Sequence, residues 1–308
     1  MGLVLWGFSG GPAWAWNAAG HRLAAWIAWE TMDEETKTAV SELLREHPDF
    51  ERWSARTKEW NARLGVFLEA STWPDDIRKD KRFFSVGIER PTETEAGFPD
   101  MERRLSWHYV DRPLGESSGG LSAAGSLDRQ LVQLAKVIGD RQATRSERAY
   151  ALPWLVHLVA DAHQPLHTAA RYDAEGNSDH GGNGFEVLNP WAAHSPESNL
   201  HRYWDDLPGP PWLIGSRLQE AAQSLIHEQA PPRTHGEPEE WIAESWRIAG
   251  KSAYPTGDSG TALTPEFHAA ALATARRRVA EAGYRLGNWL GRLLGSRRGE
   301  GREGIAGN

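Results

Sequence analysis

The chain has 308 residues, 40% of them apolar and 25% charged, and its 34 basic and 42 acidic side chains leave a formal charge of −8. This is an ordinary globular composition, and it excludes a protein that grips nucleic acid through a broad basic face. With no cysteine there are no disulfides, thiolate zinc sites or cysteine nucleophiles, although the compartment stays open.

Residues 1–15 read as a signal peptide. Met1 to Gly11 is apolar enough for its hydrophobic region, and Ala13-x-Ala15 suits a cleavage site, although no Lys or Arg precedes it. Cleavage there would make Trp16 the N-terminus and place the product in the periplasm or outside the cell. Otherwise Trp16 is simply the first core aromatic. From Trp16 onward, apolar residues at three- and four-residue spacing predict helices over 19–31, 34–46, 56–70, 126–140, 146–164, 198–206, 214–228, 238–249 and 265–293. Loops rich in Gly, Pro and Ser separate them at 91–100, 113–125, 173–183, 208–211 and 229–238. The stretch "GGNGFEVLN" (181–189) is the best strand or hairpin. No run is long enough to span a membrane. The expected fold is therefore all-α: one mainly helical domain over 16–293, with long loops and at most a small β-hairpin. A polar tail over 294–308 is expected to be disordered.

The chemistry is concentrated in histidine and aspartate. In "HLVADAHQPLH", His157 and Asp161 are four apart and share a helix face, and Gln164-Pro165 ends that helix so that His167 turns back beside it. Such a pair is more often a surface hydrogen bond than a metal site. Here it is embedded in Leu155, Val156, Leu158, Val159 and Ala160, where burying it costs several kcal/mol unless something such as a divalent cation compensates. "LHRYWDDL" repeats the spacing with His201 and Asp205. "STWPDDIR" offers Asp75 after a Trp-Pro turn, with Arg78 three residues on. "SWHYVD" places His108 among aromatic neighbours, and His21 opens the first helix. Imidazole with a few carboxylates suits a borderline metal such as zinc. Eight candidate ligands are too many for one ion and suit a cluster. His163 reads as a core histidine, Asp76 as solvated or capping, and His47, His227, His235 and His268 as surface residues. His180 and His194 lie in a loop with no spacing that assigns them a role.

In this order, Trp16-(x)4-His21, WPDDIR, WHYVD, HLVADAHQPLH, GGN and LHRYWD resemble the single-strand-specific zinc nuclease/3′-nucleotidase family of S-one/P-one type. That family is related to the zinc phospholipases C. The resemblance implies three zinc ions. Asp75, His108, His157 and Asp161 would hold one. The α-amine and carbonyl of Trp16, His21 and a shared Asp161 would hold the second, and His167, His201 and Asp205 the third. It also implies in-line attack on phosphorus by a metal-bridging hydroxide, with Arg78 balancing charge on the non-bridging oxygens. Asp75 and Asp161 would act through the metals. Tyr109 would stack on an unpaired base, Asp111 would read the base edge, and Asn183 would line the phosphate site. The expected substrates are single-stranded DNA and RNA, cut to 5′-phosphorylated products, and 3′-nucleotides. No protein partner is expected, and the chain should be a monomer.

Without the resemblance, Tyr109 is equally a packed aromatic, Asp111 a loop ion pair with Arg112, and Asn183 a turn residue. Residues 79–104, with two charge clusters and Phe83-Phe84, lengthen the interval between Asp75 and His108 beyond that of fungal and plant members. They enter just before the base-reading segment, where they would reshape the rim of the cleft. The lack of cysteine departs from the disulfide-bearing eukaryotic members and points to a bacterial-type relative. A zinc phospholipase C is the nearest rival, but there the first His lies further from the N-terminal Trp and the last pair ends in Glu. A non-catalytic zinc-binding relative would need neither Arg78 nor the Tyr109/Asp111 pair. Acid should weaken metal binding, because the five histidines must be neutral to bind.

Overall fold

The computed structural model describes residues 16–57, 61–115, 122–192 and 196–295, so the leader and almost all of the expected tail lie outside the described residues. Ten α-helices carry the architecture: α1 (Ala18–Thr31), α2 (Glu34–Arg45), α3 (Phe50–Arg56), α4 (Ala62–Asp76), α5 (Leu127–Gly139), α6 (Arg145–Asp161), α7 (Leu200–Asp206), α8 (Gly215–Glu228), α9 (Pro238–Ile248) and α10 (Pro265–Leu294). The mainly helical reading holds. Among the described residues β-strands form two short three-stranded sheets. In the first, β1 (Val110–Pro113) pairs antiparallel with β2 (Ala124–Gly125) and parallel with β3 (Ala169–Ala170). In the second, β4 (Glu186–Leu188) lies antiparallel to β5 (Glu197–Asn199) and parallel to β6 (Thr261–Ala262). The GGNGFEVLN segment thus supplies the central strand β4, while each parallel partner comes from a remote part of the chain.

α6 is the central element, buried from Ala149 to Asp161, so it has no polar face and no amphipathic stripe. Its start is fixed by a reciprocal capping box between Thr144 and Glu147. α1 and α10 pack together closely because α10 carries glycines at the contact. A Cβ on Gly283 would lie 2.6 Å from the Ile27 side chain, and one on Gly287 would lie 2.8 Å from the Ala28 carbonyl oxygen.

Three sequence expectations change. The helix expected over 56–70 begins only at Ala62, after a separate short helix α3 that the periodicity does not predict, and α4 runs on through the expected Trp-Pro turn. Pro74 lies in its last turn, so the one N–H donation it cannot make, to the carbonyl four residues back, is lost only close to the helix end. His47 is buried, stacked 4.5 Å from Trp53, with burial lowering its pKa to about 3. Residues 79–104 also reach into the core. Phe83, Phe98 and Met101 are buried, and both phenylalanines pack around Trp73 at 6.0 and 6.2 Å. Arg103 ties the segment to the carbonyls of Ile77 and Asp80. The insertion therefore braces the end of α4 behind Asp75.

A second buried network secures the end of α6. Ser245 donates to the Ala162 carbonyl at 2.6 Å, and Arg278 Nε to the His163 carbonyl at 3.3 Å. His163 is indeed a hydrogen-bonded core residue: Nδ1 donates to Val159 O, and Nε2 accepts from Arg285. Glu244 binds Arg285 through both oxygens and Arg278 through one. Burial pushes the Glu244 carboxyl up, but the hydrogen bonds from Arg285 and Arg278 outweigh it and hold the pKa at about 2. This contribution is present above the ordinary glutamate pKa and is lost as pH falls towards 2. Replacing Glu244 with glutamine takes the carboxylate from Arg285 and leaves Arg278 with Glu281 alone, and urea denaturation of the metal-free protein should show a loss of about 2–3 kcal/mol. An unchanged midpoint would mean that the network contributes nothing to stability.

Candidate metal centre

α4, α6, α7, the start of α1 and the two loop segments around residues 108 and 167 converge on one buried locus. All eight His and Asp ligand candidates lie there, none more than 7% exposed. In the first group, His157 Nε2 lies 3.1 Å from His108 Nδ1 and 3.4 Å from Asp161 Oδ2. His108 Nδ1 is 3.2 Å from the same oxygen, and Asp75 Oδ1 is 3.8 and 3.9 Å from the two histidine nitrogens. Four donors at about 2.0–2.1 Å around a tetrahedral ion stand about 3.3–3.4 Å apart, close to this spacing.

The tautomers point the same way. His157 Nδ1 donates to the Ser71 carbonyl at 2.9 Å, so the inward Nε2 carries a lone pair. Burial lowers the His157 pKa to about 4 and raises that of Asp161 well above the usual carboxylate range. A bare imidazole lone pair therefore faces a carboxyl group that burial drives to hold a proton, and repulsion returns once that proton is lost. A divalent cation removes that repulsion.

Asp161 faces two ways. Its Oδ2 belongs to the first group, while Oδ1 has no hydrogen-bond partner and lies 3.5 Å from His21 Nε2. His21 stacks on His157 with ring centroids 3.7 Å apart, and neither of its nitrogens is hydrogen-bonded. Trp16 is fully buried beside this group. It packs against Gly20, where a Cβ would lie 2.7 Å from Trp16 Cβ, and the next residue's N–H donates to the Asp205 carbonyl.

The third group is built on the same plan. His167 Nδ1 donates to the His108 carbonyl at 2.6 Å and His201 Nδ1 to the Gly181 carbonyl at 2.7 Å. Both Nε2 lone pairs then face inward, 3.1 Å apart, with Asp205 Oδ2 3.6 Å from His201 Nε2. Gln164 holds the other Asp205 oxygen at 2.9 Å while accepting from Leu166 N–H. This second shell fixes ring and carboxylate orientation. Gly181 has φ +63, and a Cβ there would lie 2.3 Å from the Leu166 carbonyl oxygen, so the turn needs glycine.

The remaining candidates sit around this centre. Arg78 Nε lies 3.3 Å from Asp75 Oδ1 with its side chain nearly buried. Tyr109 is half-buried and its carbonyl accepts from Ser126 and Leu127. Asp111, on β1, is 5% exposed, and burial followed by the nearby Asp179 pushes its carboxyl up to about 7. Asn183 Nδ2 donates to the His180 carbonyl at 2.7 Å. Asp76 pairs with Arg56 at the surface.

Spacing gave no hint of several supporting residues. Gln164 and Gly181 act through the ligands, and Asp179 accepts from Tyr254 Oη at 2.6 Å beneath Arg171, 3.7 Å over the tyrosine ring. Only Gln164 carried a signal, as a polar residue between two ligands at a helix end.

The family model described as S1/P1 Nuclease matches residues 16–295. Endonuclease 3 of Arabidopsis thaliana is 26% identical, over 93% of this chain and 91% of the relative. Nuclease P1 of Penicillium citrinum is 22% identical over 91% of this chain and 98% of its own length. For nuclease S1 of Aspergillus oryzae the identity is 22%, over 90% and 91%.

Proposed function

Because the chain belongs to the S1/P1 nuclease family, we propose that it is a zinc-dependent phosphodiesterase and phosphomonoesterase. Its substrates are single-stranded DNA and RNA, cut to 5′-phosphorylated products, and 3′-nucleotides, from which it removes the phosphate. The observation that carries this reading is the set of buried donor groups at metal-ligand spacing, His21/Asp75/His157, His108/His157/Asp161 and His167/His201/Asp205.

Asp75, His108, His157 and Asp161 would hold one zinc ion. His21, Asp161 and, once freed by processing, the Trp16 α-amine and carbonyl would hold a second, and His167, His201 and Asp205 would hold a third. Bound divalent ions supply Lewis-acid chemistry, acidifying water near neutral pH and drawing charge from phosphoryl oxygens. Arg78, anchored on Asp75, adds positive charge for the non-bridging oxygens of the five-coordinate phosphorus. Asp75 and Asp161 keep the ions in register with one another. Three divalent ions against three carboxylates give this locus a charge of about +3 on an otherwise acidic chain.

Tyr109 stacks on a base that duplex pairing would withhold, which favours single strands. Asp111 contacts the base edge, and Asn183 lines the site near the phosphate. Below about pH 7 the Asp111 carboxyl is neutral and donates a hydrogen bond; above it, the carboxylate only accepts. Processing before Trp16 and export to the periplasm or medium complete the reading, with the working unit spanning 16–293 as a monomer. Among the described residues no helix is long and apolar enough to cross a membrane.

The test is hydrolysis by zinc-loaded protein starting at Trp16. Single-stranded DNA should be cut faster than duplex, a chelator should abolish cutting, and the preferred homopolymer should change between pH 6 and 8 in the wild type but not in Asp111→Asn. Chelator-resistant cutting, or choline-ester turnover without DNA cleavage, would overturn the assignment.

A further inference from the structure

The loop joining α7 to α8 carries an exposed tryptophan that the mechanism does not use. Trp212 is 75% exposed and Ile214 is 60% exposed, in the stiff sequence "PGPPWLIG" (208–215). The loop is fixed to the metal centre at several points. Asn17 Nδ2 donates to the Gly209 carbonyl at 2.7 Å and to Asp206 Oδ1 at 2.9 Å, while its backbone N–H binds the Asp205 carbonyl. Arg22, next to His21, reaches the Pro211 carbonyl at 3.4 Å. Leu213 N–H closes a turn on Pro210 O. An aromatic ring is thus displayed on a rigid mount whose anchors adjoin His21 and Asp205.

Beside this loop lies a depression of about 300 Å³ bordered by Ile214, Arg22 and Arg56. Arg22 and Arg56 are balanced there by Glu69 and Asp76, so it is no basic channel. On a chain of charge −8, added grip on a longer strand must come from contacts other than a broad run of phosphate pairs. Base stacking on an exposed aromatic is such a contact, and it is indifferent to sequence.

We infer that Trp212 is a stacking platform for a base of single-stranded nucleic acid lying several nucleotides from the scissile bond, so that it raises affinity for long strands. This rests on the nuclease reading above, and the test separates the two. Zinc-loaded wild type, Trp212→Ala and Trp212→Phe are compared for binding of phosphorothioate-linked octathymidylate and dithymidylate by fluorescence anisotropy. Alongside, KM and kcat are measured on the phosphodiester forms and on a 3′-nucleotide.

Trp212→Ala should weaken octamer binding and raise octamer KM about tenfold, with dimer binding and 3′-nucleotide turnover unchanged. Trp212→Phe should restore most of the loss. Loss of octamer binding in a protein that cuts nothing would support the platform while sinking the catalytic reading. Equal octamer affinity in wild type and Trp212→Ala would overturn the platform. So would Trp212-dependent sedimentation with phosphatidylglycerol vesicles while octamer binding is unaffected, since the patch would then face lipid.

Discussion

Asp161→Asn lowers the rate of single-strand cleavage by on the order of a thousandfold or more, in line with losing a central electrostatic element of an active site, and strips metal from two of the three groups. The reason lies in how Asp161 is shared. One oxygen stands 3.2 and 3.4 Å from His108 and His157, and the other 3.5 Å from His21. Asparagine has the same shape but offers one neutral oxygen, and an N–H2 that points its protons at lone pairs. Folding should not suffer. Burial already raises the Asp161 pKa well above the usual range, so the metal-free protein gains by losing a charge it has to desolvate. Metal content by mass spectrometry, together with the denaturation midpoint of the metal-free form, separates the two effects. A variant that keeps its full zinc and more than a tenth of the activity would show that Asp161 does not bridge.

The second large effect is at the N-terminus. Protein beginning Met-Trp16 should be slower than protein beginning at Trp16 by about a hundredfold. A free α-amine has a pKa near ~8 and binds metal once deprotonated, whereas an amide nitrogen is a very poor ligand. Trp16→Phe, with its own amine free, should keep most of the activity, because the ring only fills a pocket against Gly20. Equal rates for the Met-extended and unextended forms would reduce Trp16 to a core aromatic.

Much of this was legible because helical periodicity and His/Asp spacing are local signals. The i,i+4 pairs His157/Asp161 and His201/Asp205 lie on helices whose residues name the face they present, and eight of the ten helices fall close to their expected ranges. The readings that changed depend on contacts between distant residues. α4 continues past Trp73-Pro74 because Trp73 packs among Phe83, Phe98 and Trp154 and donates to Asp49. That cage overrides a local helix-stop signal. His47 belongs to the same cage, and its polar neighbours in the chain hide this. Asp179 sits in a Gly- and Asn-rich loop with no periodicity, and only the fold brings it close to Asp111. The two parallel strand pairings are invisible for the same reason: strands of two to four residues carry too little alternation to detect.

The arginine network behind α6 has a consequence for the order in which the site is completed. The segment from Asp161 to His167 links the candidate groups, and Arg278, on α10, holds its His163 carbonyl. α10 also docks on α1, which carries His21. The residues that gather the histidines and aspartates are thus steadied by a helix that follows every one of them in the chain. A polypeptide without α10 should hold these side chains loosely, so late-synthesised residues finish what the earlier ones begin.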